Sequence, residues 1–184
     1  MINIKYRELI HYLFDRTINF YDIHFDIDLN YMKCKCTDYI IDCNGCIDKE
    51  LSNDYTKHAG CWCGPKHIVY LRPKVFRYRC KGHTPKERNK YIVKIISHEL
   101  GHEIYNNHDY TLEELNVPEI KTDYAKSYRK YDKALYKEEL FADSLGLYVA
   151  SKLYPDTENI LLDKNLYREG VYYIGNSNQI LIDY

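Results

Sequence analysis

Six consecutive residues carry the first chemical signal in this sequence: Ser97-His98-Glu99-Leu100-Gly101-His102. Two histidines four apart on a helix project from one face, because four residues make just over one turn. Together they can grip one metal ion. Glu99 stands about 100° from His98 around the axis, placed to take a proton from a water at the metal's open position but not to be a primary ligand. The chemistry this pattern serves is metal-assisted hydrolysis, with His98 and His102 as ligands and Glu99 as the general base.

Such a site needs a helix to present it. Thr84-Pro85-Lys86-Glu87 reads as a helix start. Thr84 can cap, Pro85 suits the first helical position, and Glu87 stands three residues after the cap, as a capping box requires. The helix is expected to run to about Asn106. Val93, Ile96, Leu100 and Ile104 recur at helical spacing on its other side. A helix with one core face and one histidine face fits the floor of a cleft.

Two ligands are too few, because a catalytic zinc takes three from the protein and keeps one position open. The best third ligand is Glu139, in a segment expected to be helical from about Tyr131 to the residues before Pro155. On that helix Glu139 and Asp143 share a face with Ala142, Gly146 and Ala150. Small residues let a second helix approach closely, and Ser97 and Gly101 form a matching ridge beside the histidines. Asp143, one turn after Glu139, can accept the outer N–H of a ligating imidazole and fix its tautomer. Glu138 is the alternative ligand, but it points about 100° away from Glu139.

With these residues in view, the chain resembles the gluzincin metallopeptidases, and most of all their ImmA/IrrE-type branch. The resemblance rests on His98-Glu-Leu-Gly-His102 followed by Glu139-Leu-Phe-Ala-Asp143, and covers residues 66–150. It implies a zincin-like fold, zinc held by His98, His102 and Glu139, Glu99 as base, and peptide-bond hydrolysis. A regulatory protein such as a repressor is the substrate class it suggests. Glu-x-x-Ala-Asp-x-x-Gly is also similar to the HtpX-type membrane peptidases, whose membrane spans this sequence lacks.

The cysteines form a second cluster of chemistry. All seven lie between residues 34 and 80, as Cys34-x-Cys36, Cys43-x-x-Cys46, Cys61-x-Cys63 and Cys80. Close pairs suit chelation, since neighbouring thiolates can take two corners of one tetrahedron. One grouping sets Cys43, Cys46, Cys61 and Cys63 around one zinc, and Cys34, Cys36, Cys80 and His83 around another. His58 and His67 are alternative partners. Disulfides and free thiols are the competing readings, and the odd count argues against a complete disulfide set. The cofactors expected are one catalytic Zn2+ and one or two structural ones.

Around these sites the sequence predicts an α+β domain spanning 1–184, with 34–83 as a cysteine-rich insert. Leu9, Ile10, Leu13 and Phe14 read as a helix over 4–15, and Ile23, Phe25, Ile27 and Leu29 alternate with polar residues as in a half-buried strand. Ile68–Leu71 reads as a short strand, and Val171–Ile174 with Gln179–Asp183 as a C-terminal hairpin. Tyrosine is abundant, with 21 copies, so an oxyanion donor cannot be chosen by type; Tyr105, Tyr172 and Tyr173 are candidates. A net charge of −1 gives no field to draw nucleic acid or anionic lipid. With no apolar stretch long enough to span a bilayer and no leader pattern, a cytoplasmic protein acting on a protein or peptide is expected. The competing functions are a SprT-like DNA-associated protease and a non-catalytic, zinc-stabilised binding module.

Overall fold

The computed structural model describes residues 2–41, 47–48, 58–129 and 132–157. Within them the chain is mixed α+β, in the order α1 (Ile2–Phe25), β1 (Lys33–Cys36), β2 (Ile40–Ile41), β3 (Ile47–Asp48), β4 (Gly60–Cys63), β5 (Ile68–Leu71), α2 (Pro73–Arg79), α3 (Pro85–Asn107), α4 (Asp123–Tyr128) and α5 (Lys133–Leu153). No helix among the described residues is long and apolar enough to cross a membrane. The C-terminal hairpin expected from the sequence, with Tyr172 and Tyr173, lies outside the described residues.

The helix that carries the histidines starts where its sequence says it should. Thr84 accepts the Glu87 backbone N–H while the Glu87 carboxylate accepts the Thr84 N–H, closing the capping box. The expectation of a one-sided helix is corrected. α3 is buried on every side from Lys90 to Ile104, because α5 packs over the histidine face and the sheet edge over the next.

α5 begins at Asp132, whose side chain accepts from the Ala134 and Leu135 N–H groups. It ends at Leu153, two residues before Pro155. The small residues do bring the two helices together. A Cβ on Gly101 would stand 2.8 Å from the Ala142 Cα, and one on Gly146 would stand 2.8 Å from the Lys94 carbonyl oxygen. Both glycines are therefore required by close approach, not by backbone conformation.

The predicted strand over 23–29 is a second correction. α1 continues to Phe25, because Leu13, Thr17, Ile18 and Tyr21 extend the buried helical stripe, whereas Ile23 is 66% exposed. The helix stops at Asp26, which takes a left-handed φ of 54° and returns its N–H to the Asp22 carbonyl. Ile27 and Leu29 then bury as the alternation required.

The three-stranded sheet has the order β1-β5-β4, with β1 parallel and β4 antiparallel to β5. Register pairs Cys34 with Val69 and Cys36 with Leu71 on one side, and Trp62 with Val69 and Gly60 with Leu71 on the other. These residues share the face that meets the core. Cys61 and Cys63 fall on the opposite face, Cys63 packing with Ile68 and Tyr70. The sheet therefore separates the Cys34-x-Cys36 pair from the Cys61-x-Cys63 pair.

Candidate metal centre

The facing of α3 and α5 gathers His98, His102 and Glu139 at one point. The two imidazole Nε2 atoms are 3.2 Å apart, and Glu139 Oε2 lies 3.5 Å from His98 Nε2 and 3.9 Å from His102 Nε2. Tetrahedral zinc with bonds of about 2.0–2.1 Å sets neighbouring ligand atoms roughly 3.3 Å apart. The three atoms thus already lie near the corners a zinc ion would impose.

Each imidazole is aimed by a carboxylate behind it. His98 Nδ1 donates to Asp143 Oδ1 at 2.9 Å, as the shared face of Glu139 and Asp143 predicted. Asp143 also takes Lys94 Nζ at 3.3 Å and the Thr122 hydroxyl, whose oxygen caps α4 by accepting from Ala125 N–H. His102 Nδ1 donates to Glu138 Oε1 at 2.8 Å, and Asn106 donates to the same oxygen at 3.0 Å. Glu138, the alternative ligand in the sequence reading, is instead the acceptor that orients His102. With both Nδ1 protons committed, both Nε2 lone pairs turn toward the shared point.

Electrostatics fit a cation there. Burial pushes the Asp143 carboxyl up, but Lys94 first and then His98 and Thr122 hold it well below the usual carboxylate range. Burial likewise disfavours charge on His102, yet the Glu138 hydrogen bond and the Glu139, Glu99 and Glu138 charges outweigh it and push the imidazole up to about 9. Two facing lone pairs 3.2 Å apart need a proton or a metal between them, and without metal a proton on His102 fills that need. Burial raises Glu139, against the lowering pull of His98 and His102. Its Oε2, aimed at the two Nε2 atoms, is a buried oxygen without a hydrogen-bond partner. Orphaned buried oxygens are rare in folded chains, and a metal ion would satisfy this one. The residues present fit a zinc site of the two-histidine, one-glutamate kind.

Glu99 and Glu103, one turn apart on α3, both face β4. Glu99 is 6% exposed and lies under Gly60, where an added Cβ would come within 2.8 Å of Glu99 Oε1. A larger residue at position 60 would press on the Glu99 side chain and oblige its carboxylate to shift. Fully buried Glu103 accepts from Trp62 Nε1 at 2.7 Å and from the Tyr31 hydroxyl and Asn107 at 2.9 Å; His67 Nδ1 lies 3.1 Å away. Trp62 in turn stacks beside His102, ring planes 15° apart. Sequence reading missed this network; the only signal was an acid in register with Glu99 on the helix.

Among the tyrosines, Tyr124 on α4 reaches the centre. Its hydroxyl donates toward Glu139 Oε1 at 3.4 Å, and its ring stands 6.5 Å from that of His98. Tyr105 packs against Phe141 in the helix interface. The cysteine expectations fare unevenly. Cys43 and Cys46 lie outside the described residues. Cys34 and Cys36 come together, but with His11 and not with Cys80 and His83. Cys80 is buried at the end of α2, and the exposed His83 sits 3.8 Å from Glu87. His67 faces Glu103, and His58 is exposed with its carbonyl bonded to Arg72. No disulfide joins Cys34, Cys36, Cys63 or Cys80. No family model, curated protein or solved structure matches the chain.

Proposed function

We propose that this chain is a zinc-dependent metallopeptidase with a zincin-like core, closest in kind to the ImmA/IrrE-type gluzincins. One observation carries the reading: three ligand atoms from two helices converge at zinc spacing, each histidine is backed by a carboxylate, and the third ligand's oxygen has no other partner. Among the described residues no fourth histidine, cysteine or carboxylate joins these three, an arrangement that suits a catalytic zinc with a position for water. Beside them stands a glutamate, Glu99, that acts on both His102 and Glu139 through its charge.

When bound, zinc supplies Lewis acidity, which acidifies a water and polarises a carbonyl. Glu99 accepts the proton of the attacking water and returns it to the leaving amine as the C–N bond breaks. Asp143 and Glu138 keep the imidazoles in one tautomer throughout. The Tyr124 hydroxyl is the donor for the developing oxyanion. The substrate is a protein or peptide in extended form. Among the described residues β4 pairs only with β5, so its outer edge, beside Glu99, is left for an extended backbone to pair with.

Glu99→Gln tests the reading. Zinc content should be unchanged, and cleavage of a proteome-derived peptide library, read by mass spectrometry, should fall by about 10²–10⁴. A wild-type protein that carries zinc but cuts nothing in that library, or a variant that cuts as well as wild type, would remove the peptidase assignment.

A further inference from the structure

A second group of ligands stands outside the helix-pair centre. Cys34 and Cys36 project from the same face of β1, two residues apart, and His11 of α1 faces them. One ligand atom from each lies within 4.8 Å of the other two. The thiols are half-buried and His11 is exposed.

Two bland readings compete. One treats the cysteines as small apolar residues at a core edge. That reading does not require a histidine from another element to face both sulfurs. Nor does it require the two sulfurs and a ring nitrogen to lie within 4.8 Å of one another, as they do. The other is a disulfide. Residues i and i+2 of a strand lie about 6.6 Å apart at Cα, the long end of the range a disulfide spans. Their parallel side chains suit chelation of one ion better than a bond to each other.

We infer that His11, Cys34 and Cys36 form a second zinc site, with its fourth position toward solvent. Two thiolates and an imidazole are a soft donor set that selects zinc over magnesium or calcium. Two thiolates on tetrahedral zinc stand about 3.8 Å apart, so side-chain rotations of about 1 Å would close the site.

The ion would clip α1 to β1, an edge strand that pairs only with β5 among the described residues. α1 also reaches the helix-pair centre. The Tyr21 hydroxyl bonds Ser97 Oγ at 2.5 Å, next to His98. A clip at His11 would therefore steady the helix that buttresses the ligand-bearing turn. Its role is structural.

The test uses the full chain, stripped and reloaded with zinc, and counts zinc per chain by mass spectrometry. Cys34→Ser with Cys36→Ser should lose one equivalent. His11→Ala, at an exposed position that folding tolerates, should weaken one zinc by about tenfold or more. His11→Cys should keep the ion and strengthen the thiolate charge-transfer band of the cobalt-loaded protein. A zinc count and affinity unchanged by His11→Ala would overturn the proposal, whatever the cysteine variant does. So would a Cys34–Cys36 disulfide in the purified wild type, seen by thiol titration.

Discussion

The two candidate centres are built in opposite ways. At the α3–α5 centre every ligand is at least nine-tenths buried, and each imidazole N–H has a carboxylate of its own. At the α1–β1 centre the ligands are half-buried or exposed. The first is pre-organised, with orientation supplied by partners behind the ligands. The second is a clip whose geometry the ion itself would complete. A centre that does chemistry needs its ligands held before substrate arrives, whereas a clip needs only soft donors within reach.

The comparison breaks first at the supporting carboxylates. Asp143→Asn should weaken zinc at the helix centre by about 10–100-fold, measured by competition with a chelator, and leave the cysteine-bound ion untouched. Equal weakening of both ions would show that Asp143 supports the fold and not His98 alone. The helix contact is next. Gly101→Ala places a methyl against Ala142 and should cost about 1–3 kcal/mol in chemical denaturation, with a loosened helix centre and an unchanged cobalt–thiolate band. No loss of stability would contradict the close approach.

The smallest effect is a matter of protons. Burial opposes charge on His102, but its carboxylate neighbours hold it protonated up to about 9, above its unfolded value. In the metal-free protein that charge contributes stability fully present below the unfolded pKa and lost as pH rises through about 9. Zinc needs the neutral ring, so loading the helix centre near pH 7–8 should release about one proton from His102. Affinity there should climb with pH and level off above about 9. Calorimetry in buffers of different ionisation heat, on a Cys34→Ser/Cys36→Ser chain, measures it. Loading without proton release would mean that His102 is already neutral.

How much of this was legible in sequence follows from the range of the forces involved. The start of α3 was readable to the residue because a capping box is written within four positions, and the end of α5 because Pro155 forbids continuation. The small face of α5 announced its close neighbour, and Asp143 followed from sharing a face with Glu139. Glu138 was misjudged because its partner, His102, is on the other helix and only the interhelical geometry brings them together. α1 overran the expected strand because Ile23-x-Phe25-x-Ile27 satisfies an alternating pattern while Tyr21 and Phe25 satisfy a helical one; packing decided. His11 was overlooked because only the parallel pairing of β1 with β5 brings Cys34 and Cys36 against α1. No local pattern encodes that.

The central claim is that Glu139, from a separate helix, completes the centre begun by His98 and His102. The most direct measurement is zinc affinity and stoichiometry of Glu139→Ala beside Glu138→Ala, each compared with wild type. The account predicts that Glu139→Ala loses the helix-centre ion, while Glu138→Ala keeps it with weaker affinity. A Glu139→Ala chain that holds the ion as tightly as wild type, with the loss falling on Glu138→Ala instead, would contradict it.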